Sequence, residues 1–124
     1  MRKQYHFRQS LLGLCAWDVH RLVELTRDLV REHVPLSTIR ELDESYWGNE
    51  GPRMTCRGVV EHARLMLDCD LAYPVILSSD GRVMDGKHRI GKALLEGRSD
   101  VEAVRFVHDP EPDYVGVAPD DLPY

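Results

Sequence analysis

Cysteine is scarce in this chain: Cys15, Cys56 and Cys69 are three residues, an odd number at wide spacings, in a sequence of 124. That excludes a disulfide framework and offers no paired C-x-x-C knuckle for zinc, so all three are expected to be core thiols. Cys56, His62 and Cys69 share one segment, but on a helix Cys56 faces away from the other two, and they are not read as a metal site. Long hydrophobic runs are missing as well. Nothing approaches the roughly 20 apolar residues of a membrane span, and the basic start MRKQYHFRQS lacks the continuous apolar segment of a secretory signal. A cytoplasmic protein that engages no membrane is the expectation.

Basic charge is the third thing in short supply. Lys and Arg number 16 against 21 Asp and Glu, a formal net charge of −5. The whole excess falls on Asp109, Glu111, Asp113, Asp120 and Asp121, so the first 108 residues are neutral overall. Non-specific nucleic-acid binding rests on a strongly basic face. Only a local patch of Lys87, Arg89, Lys92 and Arg98 is present, which suits a small anion better than a duplex.

What is there reads as one α+β domain over residues 1–107, a small mixed β-sheet packed with helices, followed by an acidic, proline-rich tail over 108–124. Residues 1–14 alternate basic, aromatic and polar groups without a sustained period and read as an extended or irregular arm, whose Tyr5 and Phe7 would cover a strand edge or a partner subunit. The first helix is expected over 17–30, with Val19, Leu22, Val23, Thr26, Leu29 and Val30 as its stripe and Asp18 or a residue just before it as its cap. His20 reads as a surface side chain. A first strand over 34–41 follows, with Leu36 and Ile39 partly buried and Glu41 at its end.

Residues 43–52 form a polar loop in which Tyr46 and Trp47 serve as anchors on the core or as a platform for a flat ligand. Thr55 is placed to cap a second helix over 56–69, with Val59, Val60, Ala63, Met66 and Leu67 on its apolar side. The pairs Arg57 with Glu61 and Arg64 with Asp68 add a few tenths of a kcal/mol each. Arg53 and Arg57 oppose the dipole at that helix start, so a nearby anion would relieve them. The tail holds four of the seven prolines among Tyr114, Val115, Val117, Leu122 and Tyr124. It is too apolar for a solvated tail and too proline-rich for a helix, so it wraps along the body or docks on a partner.

Chemistry concentrates in PVILSSDGRVMDGKHRIGKALLEG, residues 74–97. Val75, Ile76 and Leu77 read as a buried strand, Asp80-Gly81 as a tight turn, and Arg82, Val83 and Met84 as the return strand. A second Asp-Gly pair, Asp85-Gly86, then opens a helix marked by Ile90, Ala93 and Leu94 and stopped by Gly97. A strand over 101–107 completes the sheet. A helix start presents backbone N–H groups and the positive end of the dipole. Gly86 admits a close approach to the main chain, and Lys87, His88, Arg89 and Lys92 add donors, so phosphate is the natural guest. Asp85 either caps the helix and competes for those N–H groups, holds a magnesium ion bridging to the phosphates, or accepts a proton. The plain alternative is an ordinary capped helix with three solvated cations on its first turn.

The segments PVIL, DGRV, DGKHR, ALLEG and VEAVRF, in that order, resemble the ParB/sulfiredoxin family, over roughly residues 34–107. The resemblance implies that Gly86, Lys87, His88 and Arg89 bind nucleotide phosphates, with ATP, ADP or CTP and magnesium as the cofactors implied. Likeness to the free-serine kinases of that family would make Asp85 and His88 catalytic or phosphate-contacting, and Glu41, at the end of the first strand, is the candidate base. That is a small-molecule phosphotransferase whose partner is a nucleotide or phosphorylated metabolite. The alternative is a non-catalytic ParB-like nucleotide switch or DNA-associated regulatory factor. An independent DNA clamp is disfavoured because the chain continues into an acidic tail where such proteins carry a helix-turn-helix domain. A homodimer is left open. Sulfiredoxin chemistry needs a cysteine where this chain has Lys87, so the thiolate is replaced by an ammonium.

Overall fold

The computed structural model describes residues 3–45 and 55–124. The expectations for Tyr46, Trp47 and Arg53 lie outside the described residues.

The expected α+β organisation is observed, with two sheets rather than one. A mixed four-stranded sheet, ordered β3-β6-β4-β5, is built from β3 (Glu32–Pro35), β4 (Val75–Leu77), β5 (Val83–Asp85) and β6 (Asp100–Arg105). β4 runs parallel to β6, whereas β3 pairs antiparallel with β6 and β5 with β4. The helices are α1 (Val19–Thr26), α2 (Cys56–Asp68) and α3 (Lys87–Leu95). Among the described residues no helix is long and apolar enough to cross a membrane.

The sheet is buried on both faces, and the period of two sorts its side chains. Val75, Leu77, Val83, Val101 and Ala103 face one cluster with Val34, Leu36, Ile39 and α3's Ile90 and Ala93. Ile76, Met84, Val104 and Phe106 face the other, with Cys15, Trp17 and Leu22. That second cluster is roofed by a small antiparallel sheet that the sequence did not announce. The stretch 1–14, read as an extended or irregular arm, supplies from Tyr5 onward a hairpin of β1 (Tyr5–Ser10) and β2 (Gly13–Asp18), in register from Tyr5 opposite Asp18 to Ser10 opposite Gly13. Alternation gave no warning, because the polar His6 is buried while Phe7 is only half-buried, and Cys15, Ala16 and Trp17 are buried in succession.

The hairpin takes Trp17 and Asp18 from the expected first helix, which therefore begins at Val19. Asp18 caps it as anticipated, accepting from the His20 N–H at 2.9 Å. It stops at Thr26, whose Oγ1 donates to the Leu22 carbonyl at 2.9 Å, so the expected stripe is cut short and Val30 is 90% exposed. The strand expected over 34–41 ends at Pro35, which has no N–H to donate. Two 3-10 turns follow, Leu36–Thr38 and Arg40–Asp43. Leu36 and Ile39 are fully rather than partly buried, and their spacing of three suits such turns, not a strand. Glu41 thus sits in a turn, not at a strand end.

The central segment follows its sequence closely. Gly81 and Gly97 take positive φ of 85° and 75°, and Arg98 N donates to the Ala93 carbonyl in the closing bond of a Schellman cap. The return strand is shifted by one residue, so Asp85 ends β5 and Gly86 is the residue that precedes α3. The last strand ends at Arg105, two residues early. Of the three cysteines only Cys15 is buried; Cys69 is half-buried and Cys56 exposed, so two are not core thiols. The tail wraps along the body: β7 (Tyr114–Val115) pairs with β2, and the Pro110 carbonyl accepts from Trp17 Nε1 at 2.8 Å.

Candidate functional site

β5 and α3 meet at Gly86, which has φ 111° and ψ 23° and gives α3 no side-chain cap. Glycine is required twice over here. A Cβ would stand in the left-handed region, 3.0 Å from Arg89 Nη2 and 3.1 Å from Val75 Cγ2. The space over Gly86 that was expected to admit a ligand is therefore filled on that side by Arg89. Its Nη2 donates to Asp85 Oδ2 at 2.7 Å, with the two side chains 16% and 22% exposed. Of the three roles open to Asp85, the helix cap is not observed: it is the acceptor that pins this guanidinium.

Lys92 also has a different assignment. Its Nζ donates to the Leu67 carbonyl at 3.0 Å and the Cys69 carbonyl at 2.7 Å, closing the C-terminal end of α2. A cation there satisfies carbonyls that have no intrahelical partner. Lys92 therefore ties α3 to α2 and is not turned to an anion at the α3 start.

Lys87 and His88 remain at the opening. Lys87 is half-buried, and burial pushes its ammonium down to about 8, against the opposing pull of Glu41 and Glu44. His88 Nε2 lies 2.9 Å from Nδ1 of His62 on α2, with the rings 5.2 Å apart and tilted by 20°. One nitrogen must donate and the other accept, so at least one of the two rings keeps an unprotonated nitrogen at this contact. Burial, then His62 and Arg89, hold His88 below the usual histidine range, and Asp85 opposes them.

Glu41 is brought close to this opening although it lies forty-six positions before Lys87 in the sequence. Its Oε2 accepts the Val83 N–H at 2.6 Å, which fixes the carboxylate against β5. Its Oε1 is buried without a hydrogen-bond donor, 4.0 Å from Arg82 Nη1, and the side chain is only 10% exposed. Arg82 is itself held by both oxygens of Glu44, at 2.6 and 2.7 Å.

Two clefts flank the α3 start. One, of about 590 Å³, lies between α2 and α3 and is lined by Glu41, His62 and Lys87 among mostly aliphatic neighbours. The other, of about 400 Å³, is bordered by Asp85, Gly86, Lys87, His88, Arg89 and His6. His6 is 9% exposed, its Nε2 is buried without a partner, and burial lowers it to about 4. Lys87 borders both clefts.

The structure thus gathers Glu41, Asp85, Gly86, Lys87, His88 and Arg89 at one place and sets Lys92 aside. Sequence reasoning missed His6 and His62 as neighbours of this site. His6 lay in a stretch that read as an arm, and His62 faces α3 only because of how the two helices pack. Among the described residues no group of three or more His, Cys, Asp or Glu side chains could hold a metal ion. Magnesium commonly takes one or two carboxylates and completes its shell with substrate phosphates and water. Of the Asp85 carboxylate, Oδ2 is already taken by Arg89. Compared with family models, characterised proteins and solved structures, the chain shows no match to any of the three.

Proposed function

We propose that the α3 entrance binds the phosphates of a nucleotide such as ATP, ADP or CTP, and that the chain is a small-molecule phosphotransferase of ParB/sulfiredoxin-like fold. One observation carries the reading: α3 begins at a left-handed glycine with no side-chain cap, and its first residue, Lys87, is a half-buried cation bordering both clefts. Helix dipole, first-turn amides and an ammonium act in the same direction on an anion. The order β4, glycine turn, β5, DGKHR, α3, β6 supports the family assignment.

Glu41 supports the catalytic form. Its side chain lines the larger cleft, and one carboxylate oxygen is fixed by the Val83 N–H. In a transfer from ATP the acceptor hydroxyl oxygen bonds to the γ-phosphorus and the β–γ bridging P–O bond breaks. ADP leaves with that electron pair, and the hydroxyl proton goes to Glu41. Positioning and charge stabilisation supply most of what such a reaction needs. The non-catalytic switch is favoured by a different observation, the engagement of Asp85 Oδ2 by Arg89, which occupies the carboxylate expected to hold magnesium.

A thermal-shift series with ATP, ADP, CTP and GTP, with and without magnesium, tests binding, since a ligand held only by the native state raises apparent stability. The shift is expected in the wild type and absent in Lys87→Ala. No shift with any nucleotide sinks the proposal. Release or transfer of labelled γ-phosphate separates the enzyme from the switch.

A further inference from the structure

Among the described residues the two sheets leave four edges, and three of them are blunted. β3 carries the exposed Glu32 and His33 and ends in Pro35, which has no N–H. The Val83 N–H of β5 is taken by Glu41 Oε2, and β7 is two residues long. β1 is different. Its six residues include no proline and pair with β2 in unbroken register, and no strand lies on its other side. A regular edge of this length is what proteins ordinarily shorten, charge or cover, because its bare N–H and C=O groups template another strand.

The register identifies the bare groups. Asp113 N–H donates to the Ala16 carbonyl and Gly116 N–H to the Leu14 carbonyl, so these β2 residues bond towards β7. Their partners in β1, Phe7 and Gln9, therefore turn their own main-chain groups away from β2. Val19 N–H donating to the Gln4 carbonyl gives the same phase, with even positions turned inwards and Tyr5, Phe7 and Gln9 outwards. Among the described residues nothing bonds to the main chain of those three on the outer side. Backbone groups withheld from water are nearly always paired, so an unpaired row stands in solvent. The tail meets β1 at the Tyr5 side chain, where the Pro123 carbonyl accepts from its hydroxyl and the Tyr124 ring lies edge-on to it. It makes no backbone bond to this strand.

From this bare row we infer that β1 pairs antiparallel with β1 of a second copy of the chain, about a two-fold axis at Phe7, joining two three-stranded sheets into one of six strands. The edge is its own complement. The outward positions are symmetric about Phe7, so Phe7 meets the partner's Phe7 and Tyr5 meets the partner's Gln9, each pair exchanging both N–H···O bonds. Phe7 supplies an aromatic cross-strand pair, and no like charges stand directly opposite, since Arg8 faces the partner's His6, which burial keeps uncharged at neutral pH. Leu11 and Leu12 at the hairpin tip, 105% and 86% exposed, are carried past the partner's Tyr5 by the same register. Six residues a side is small beside the roughly 20–30 of a standard interface, so the dimer is a weak one that forms at high concentration. The pairing needs neither cleft and no nucleotide.

Sedimentation equilibrium of the full chain, from about 10 μM to about 1 mM, tests the pairing. The mean mass is expected to rise with concentration from 14.3 kDa towards twice that value. Gln9→Pro removes an outward N–H while leaving the β1–β2 bonds in place, a setting in which an edge strand tolerates proline. It should weaken association about tenfold or more. Phe7→Lys sets like charges opposite one another at the axis and should do the same, which decides the matter if the proline variant does not fold. Oxidation reads the register. In a Cys56→Ser background, Phe7→Cys should form a disulfide-linked dimer faster than Gln9→Cys, because the axial pair has its Cα atoms about 5.5 Å apart, whereas Gln9 stands opposite Tyr5 and not itself. A chain that is monomeric at every concentration overturns the inference. So does a dimer unaffected by both substitutions, or cross-linking that is no faster at Phe7 than at Gln9.

Discussion

Arg89 lies across Gly86 to donate to Asp85 Oδ2 at 2.7 Å, so one of the residues expected to hold phosphate is already neutralised by the aspartate four positions before it. Both side chains are largely shielded, which makes the pair structural as well as local. Arg89→Ala is expected to lower the stability of the ligand-free protein by roughly 1–3 kcal/mol, because it leaves a shielded carboxylate without its donor. Urea unfolding of the purified variant measures this. Gly86→Ala should cost a similar amount, since its methyl meets both the left-handed backbone and the guanidinium. Unchanged midpoints for both variants would show that the pair carries no stability.

Lys87 ties stability to alkaline pH. Its folded value of about 8 lies below the ordinary 10.5, so between those two the unfolded chain holds the proton more tightly. Stability therefore rises with pH across that window, and below it the charged, half-buried ammonium is a cost. Lys87→Met is expected to be more stable than the wild type at pH 7, with the difference shrinking between pH 8 and 10. Equal pH profiles for the two proteins would contradict the burial of this ammonium. If Lys87 also holds phosphate, nucleotide affinity falls above pH 8 as its charge is lost.

His6 gives the opposite end of the profile. Burial, with Arg8 and Lys87 adding to it, lowers the imidazole from 6.5 to about 4. The unfolded chain binds the proton first as pH falls, so stability is complete above about 6.5 and is lost as the pH drops towards 4. The full effect is about 3 kcal/mol. His6→Phe, which keeps a ring beside Trp17, should flatten that part of a chemical-denaturation series. A slope that persists in the variant assigns the acid sensitivity to other groups.

Lys92 is expected to be indifferent to ligands and important to α2. Replacing it with methionine removes two bonds from an ammonium to helix-terminal carbonyls, a loss of roughly 1–2 kcal/mol. Amide exchange should quicken from Leu65 to Cys69 while the nucleotide-dependent thermal shift stays as in the wild type. A variant that loses the shift but not the protection of α2 would return Lys92 to the phosphate site.

Local chemistry alone determined the centre of this protein. The Asp80-Gly81 turn, the caps at Asp18 and Thr55, the stop at Gly97 and the helix between Gly86 and Glu96 each follow from conformational preferences and periods that operate within a few residues. Tertiary structure decided the rest, because it turned on pairings between distant segments. The hairpin of residues 5–18 became a strand pair only by roofing the second face of the sheet, and it did so with a histidine inside, which hid its alternation. The cations between Lys87 and Lys92 looked alike in sequence. Arg89 was taken by Asp85 one turn away, whereas Lys92 and Glu41 were placed by bonds spanning more than twenty and forty residues, which leave no mark on either residue alone.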